Sequence, residues 1–192
     1  TEVVNYSSPA VDTLEVAALP LAISREFLDD HILPGGSVEL VYTLSNTSLN
    51  SEAASIGLDV TDIGFTDNLA AMLAGLTASQ LPLSVQGCGS SAALSGTTAL
   101  TFANGALAAG ESCQMHVLLQ VPTNVYPGLY GGAVSTPFAF TADGRAQSGL
   151  IKNDSLEIKG IEFNMRALPT EVFPGDSLQL EFSLQNLTEY PL

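Results

Sequence analysis

Residues 34–46 read PGGSVELVYTLSN, and apolar and polar side chains alternate along them. Val38, Leu40, Tyr42 and Leu44 share one parity, and Glu39, Val41, Thr43 and Ser45 share the other. A period of two belongs to an extended strand with one face in a core and one in water. The pattern returns at 174–186 as PGDSLQLEFSLQN, with Leu178, Leu180, Phe182 and Leu184 on the inward parity. Pro34 and Pro174 stand 140 residues apart, as do the short apolar stretches 21–24 and 161–164 that precede them. DTLEV at 12–16 and DSLEI at 154–158 form a third pair, offset by 142. Self-similarity at a long fixed period is the mark of a repeat array. The chain is therefore read in three parts. Residues 1–19 are the last strand of a preceding repeat, 20–159 a complete repeat of about 140 residues, and 160–192 the first strands of a following one.

Between the two copies, residues 113–121 form a second long alternating strand, with Cys113, Met115, Val117, Leu119 and Val121 on one face. Shorter strands are expected over 56–65, 81–85, 98–102, 129–130, 133–141 and 150–158, with Val134, Phe138 and Phe140 inward. Gly and Pro mark the turns, at Asn104-Gly105, Ala109-Gly110, Tyr126-Pro127-Gly128 and 142–147. One segment changes period. Leu69, Met72, Leu73 and Leu76 follow the i, i+3, i+4, i+7 spacing of a short helix, capped by Thr66 or Asp67 and packed across an open end of the sheets. Short strands at close intervals with frequent turns predict an all-β fold, an immunoglobulin-like β-sandwich with one short helix.

Charge narrows the partners. The 192 residues hold 20 Asp and Glu against 5 Lys and Arg, a formal charge of −15. Such a surface repels nucleic acid and anionic lipid. A hydrophobic content of 46% excludes a disordered chain. No apolar run reaches the roughly 18 residues of a membrane helix. If the protein is exported, its targeting segment is expected to lie outside this stretch or to have been removed. The acidity itself is read as solvation.

Candidate chemistry is sparse. Cys113 opens a strand on the core parity, and Cys88 follows another between two glycines. Two free thiols or half a metal site are the alternatives to a bond between them. A zinc site wants four ligands and paired Cys spacing, which are missing. The strand parity also turns His116 away from Cys113, which argues against a catalytic thiol. The disulfide Cys88–Cys113 is favoured, and it implies an oxidising, extracytoplasmic setting. Calcium is the lesser reading of Asp59, Asp62 and Asp67, whose spacing matches neither an EF-hand nor a nonapeptide loop. His31 sits beside Asp29 and Asp30, His116 lies on an outward face, and both are read as surface residues. Asn5, Asn46, Asn153 and Asn186 each head an Asn-x-Ser/Thr triplet, here read as a strand end followed by a polar turn. No nucleophile has a base beside it in sequence and no catalytic motif occurs, so no enzyme and no cofactor is expected.

Several stretches carry a resemblance: the opening PGGSVELVYTLSNTS, FTDNLAAMLAGL from Phe65, QGCGSSAALSG from Gln86, LTFANGALAAGESCQMHVLLQVP from Leu100 and PGLY from Pro127. In this order they resemble a tandem-repeat domain of large bacterial cell-surface and secreted proteins. This copy departs from the pattern at Ala70-Ala71. The resemblance implies an immunoglobulin-like sandwich in a stalk, adhesin or extracellular filament, with neighbouring repeats or copies of itself as partners. Strand pairing between units is one way such copies would assemble. The alternative is an adhesive module gripping a carbohydrate, ice or a protein of a host or matrix. The absence of Trp and the scatter of the five Tyr weaken sugar stacking.

Overall fold

A computed structural model describes residues 20–29, 31–48, 57–81, 83–131 and 136–187. The readings made for residues 1–19, Asn5 and Val134 lie outside these. In chain order the elements are β1 (Leu21–Phe27), β2 (His31–Ile32), β3 (Ser37–Asn46), β4 (Val60–Asp67), α1 (Leu69–Met72), β5 (Thr77–Ala78), β6 (Leu83–Ser84) and β7 (Ala93–Ser95). There follow β8 (Leu100–Leu107), β9 (Ser112–Gln120), β10 (Gly128–Tyr130), β11 (Phe138–Ala142), β12 (Arg145–Gly149), β13 (Leu156–Ile158), β14 (Ile161–Leu168) and β15 (Gln179–Asn186).

The two long alternating strands lie side by side. β3 pairs antiparallel with β9, Leu40 opposite Val117 and Leu44 opposite Cys113. With β1 and β5 outside them they make a sheet of order β1-β3-β9-β5. A six-stranded sheet of order β12-β11-β4-β8-β7-β6 supplies the other side of the core. Leu40, Tyr42, Leu44, Met115, Val117 and Leu119 from the first sheet join Ile63, Phe65, Phe102, Phe138 and Phe140 from the second in one buried cluster. The Tyr42 and Phe65 rings are 5.1 Å apart, and Phe65 and Phe102 5.4 Å. Each large apolar side chain removed from water there contributes about 1.5–3 kcal/mol. A third sheet, β10-β13-β2, closes one flank. In it β13 runs antiparallel to β10 and parallel to β2. Among the described residues the architecture is all-β, two facing sheets with one short helix.

Several sequence expectations are corrected in detail. The short stretch 21–24 is the start of a longer strand, which continues to Phe27. The helix is a single turn over Leu69–Met72, because Leu73 is already extended and Gly75 sits at φ +88°. Its cap is Asn68, whose side chain accepts from Ala71 N, and neither Thr66 nor Asp67 serves. Leu69, Met72, Leu73 and Leu76 are nonetheless all buried. Asn104-Gly105 does not turn the chain. Asn104 takes φ +58° inside β8, beside the register shifts of the β4–β8 pair, as in a bulge. The segment 142–147 is shared between the end of β11, a tight turn at Asp143-Gly144 and the start of β12, and β7 was not expected.

The last two strands form a ribbon of their own. β14 and β15 pair with each other and with no other strand among the described residues. Their register repeats that of β1 and β3 at the 140-residue offset. Ile23↔Leu44 recurs as Phe163↔Leu184, Arg25↔Tyr42 as Met165↔Phe182, and Phe27↔Leu40 as Ala167↔Leu180. Two bonds outside the strands recur as well. Thr47 N donates to Pro20 O, as Leu187 N does to Gly160 O, and Gly36 N donates to Leu33 O, as Asp176 N does to Phe173 O. The turn glycines Gly35 and Gly175 both have positive φ, +78° and +99°. Burial is where the copies part. Leu40 and Leu44 are inaccessible, whereas Leu180 and Leu184 are 48% and 65% exposed.

That contrast makes a prediction. Leu40→Ala empties a core site and is expected to lower unfolding stability by about 2–5 kcal/mol. Leu180→Ala, at the equivalent place, is expected to change it by less than about 0.5 kcal/mol. Chemical denaturation of the two variants measures the difference.

Candidate functional site

Arg25 lies on the inward parity of β1, among Ile23 and Phe27, so extending the strand carries a cation into the core. Its Nε is 2.7 Å from Asp67 Oδ2 at the end of β4, and neither side chain is accessible. Charge rather than an aligned hydrogen bond holds this contact, and among the described residues Asp67 Oδ1 has no hydrogen-bond partner. The Tyr42 hydroxyl donates to the same Oδ2 at 2.5 Å. The rest of the guanidinium is satisfied locally. Nη1 donates to Asp154 O at 3.1 Å, Nη2 contacts Met72 Sδ at 3.2 Å, and the group lies 4.7 Å from the Phe27 ring centroid. The triad thus ties β1, β3 and β4 together across the two sheets. Burial first, then the charge of Asp67 and the hydrogen bond to it, hold the Tyr42 phenol well above its usual value near 10.

The sulfurs of Cys88 and Cys113 are bonded, with Cα atoms 5.4 Å apart. Cys113 belongs to β9 and Cys88 follows β6, so this link also crosses between sheets. The turn around Cys88 depends on glycine: Gly87 and Gly89 have φ +82° and +111°, and a Cβ on Gly89 would stand 2.9 Å from Ala106 N. Ala106 N donates to Cys88 O at 2.7 Å.

The remaining candidates are dispersed. Asp67 is committed to Arg25 and Tyr42. Asp59 accepts from Ala109 N and Asp62 from Thr61 Oγ1. Among the described residues no group of three or more His, Cys, Asp or Glu could hold a metal ion. His116 Nδ1 lies 2.6 Å from Glu39 Oε1, and His31 Nε2 lies 3.2 Å from Glu157 Oε2, all of them at least partly exposed. Asn46 is buried. Its amide donates to Leu58 O and Leu107 O and accepts from Ser48 N, so the triplet it heads is a turn anchor. Asn186, at the same repeat position, is exposed. No described helix is long and apolar enough to cross a membrane.

Sequence reasoning missed Arg25. The available signal was a lone cation on the inward parity of a strand, in a chain with only 5 basic residues. It became visible only when that strand was extended past Ser24.

Two pinned sheets facing each other across one buried core define a β-sandwich domain. The chain belongs to the family described as a domain of unknown function, DUF7933, which matches residues 21–150. No curated protein matches. Among solved structures, the chain is similar in fold to BcpA, the major pilin subunit of Bacillus cereus. The TM-score is 0.50 at 12% identity, over 88% of this chain and 56% of the pilin. It also aligns with a type I cohesin–dockerin complex from Clostridium thermocellum, with TM-score 0.45 and 13% identity, over 72% of this chain and 99% of that one. A third alignment is to a GH20 exo-β-N-acetylglucosaminidase from Vibrio harveyi. There the TM-score is 0.39 and the identity 14%, over 79% of this chain and 20% of the enzyme.

Two predictions follow from the cross-sheet links. Replacing both cysteines by serine is expected to lower stability by about 3 kcal/mol in the chain-entropy account of a loop this size. Non-reducing against reducing thermal melts of the unmodified chain read the same quantity. Tyr42→Phe is expected to cost about 1.5–3 kcal/mol, because it removes a hydrogen bond to a buried charge. The Tyr42 phenol is held above its unfolded value. Its contribution is therefore complete below about pH 10 and is lost as pH rises through the folded value. The stability gap between the unmodified chain and Tyr42→Phe should stay constant through neutral pH and narrow only in strong alkali. Denaturant titrations across pH measure it.

Proposed function

We propose that this chain is a structural repeat of an extracellular or cell-surface protein, one unit of a stalk, adhesin or filament. The observation that carries this reading is the recurrence of the whole β1–β3 ribbon, in register, as β14–β15. Only Lys159 and Gly160 separate β13 from β14, and both are tied. Lys159 N donates to Ile32 O at 2.8 Å, and Leu187 N donates to Gly160 O at 2.9 Å. A joint this short and bonded on both sides transmits orientation from one unit to the next, as a stalk requires. The disulfide supports an oxidising compartment. A pilin subunit uses a similar fold, so a sandwich of this kind can serve as a fibre's building block. In this reading the units themselves are the principal partners, and the strong negative charge keeps neighbouring fibres apart.

Negative-stain electron microscopy of the native protein tests the reading. The expected image is a linear string of similar beads with a constant axial spacing. Globular particles with no axial repeat would overturn it.

A further inference from the structure

The ribbon β14–β15 turns an apolar face, with Phe163, Met165, Leu180, Phe182 and Leu184, toward solvent. An apolar patch of this kind on a polar-backed ribbon marks an interaction surface. The first copy shows what such a face fits. In β1–β3 the same positions lie against the sheet containing β4, β8 and β11. On the inward face Phe27 gives way to the smaller Ala167, but the polar or apolar character of the pairs changes at one place only. Arg25↔Tyr42, the pair that reaches Asp67, is replaced by Met165↔Phe182. A buried polar pair has been exchanged as a unit for an apolar pair of similar size.

We propose that the β14–β15 face docks on an opposing sheet of this same fold whose residue at the place of Asp67 is apolar. Asp67 itself then excludes the ribbon from the sandwich of residues 21–158. Were the ribbon to replace β1–β3 there, Asp67 would lose both Arg25 and Tyr42 while remaining out of water. A buried charge stripped of its partner is strongly unfavourable, enough to shift the exchange by a factor on the order of 100. By contrast, replacing all members of a buried ionic cluster with apolar groups is often neutral or stabilising. The pair 25/42 against 165/182 is thus an address. In an array of near-identical ribbons, it keeps each ribbon on its own sheet and suppresses swapping between units. This inference rests on reading 161–186 as the opening ribbon of a second unit.

The register supplies the test. Val41 faces His116 across β3 and β9, so Glu181, the equivalent of Val41, would face His116 only if the ribbon took the place of β3. Three full-length chains carry His116→Cys and Glu181→Cys and are refolded under mild oxidation, with products mapped by peptide mass. The first has no other change. The second adds Arg25→Met, Tyr42→Phe and Asp67→Leu, which makes the sheet match the ribbon. The third keeps Asp67 but exchanges the address, through Arg25→Met, Tyr42→Phe, Met165→Arg and Phe182→Tyr. The 116–181 cross-link is expected in the second and third chains, at about 100-fold the first chain's yield if the full penalty is expressed. Recovery of native circular dichroism in the third chain, but not in Arg25→Met/Tyr42→Phe alone, is the accompanying result. Equal cross-linking in all three chains would overturn the address while leaving the ribbons equivalent. No cross-link in any of them would overturn both the address and the reading beneath it.

Discussion

Arg25 and Asp67 meet from opposite sheets at 2.7 Å with no water access to either, and Tyr42 completes the contact from the neighbouring strand. Taking one of these charges out of water is favourable only while the others are in place. The first ribbon is therefore held at one position and one register over β4, because a slip of one residue would put Arg25 on the outer face and leave Asp67 alone. The apolar contacts around the triad are individually interchangeable. Phe65 on Phe102 or Leu40 beside Val117 would tolerate other hydrophobic pairs of similar volume. The charged contact would not. The core supplies most of the stabilisation and the triad supplies much of the specificity.

A second pin, this one covalent, does similar work at another part of the sandwich. Cys113 sits in β9 and Cys88 beyond β6, so the disulfide and the triad fasten the two sheets through different strands. Between them the sheets are fastened without the helix, which is one turn long and adds only the buried side chains Leu69 and Met72. The ribbon β14–β15 has no such pins among the described residues. Its own register is complete, with Arg166 bonded to Glu181 on the polar face, while its apolar face stays in water.

Much of this was legible in the sequence, for physical reasons. Strict alternation over 38–45 and 113–121 can satisfy only a half-buried strand. The two cysteines fell on parities and turns that let their side chains meet. The 140-residue recurrence carried the register of the ribbon as well as its existence. What escaped was tertiary in origin. Arg25 on an inward parity looks like the end of a strand until its partner Asp67 is known, and Asp67 lies far along the chain. Asn104-Gly105 has the composition of a hairpin turn, yet the strand continues through it, with Gly105 paired opposite Ile63 of β4. Asn46 and Asn186 each head an Asn-x-Ser/Thr triplet, and only the sandwich closed over the first of them decides that one is buried and the other is not.

The central claim is that residues 160–187 open a second unit equivalent to 20–158. Amide hydrogen exchange tests it most directly, on a chain extended after Leu187 by a copy of residues 48–158 with the copied Asp67 replaced by leucine. If the claim holds, the amides of β14 and β15, fast in the original chain, become as protected in the extended chain as those of β1 and β3. Ribbon amides that remain fast beside a folded first unit would contradict it.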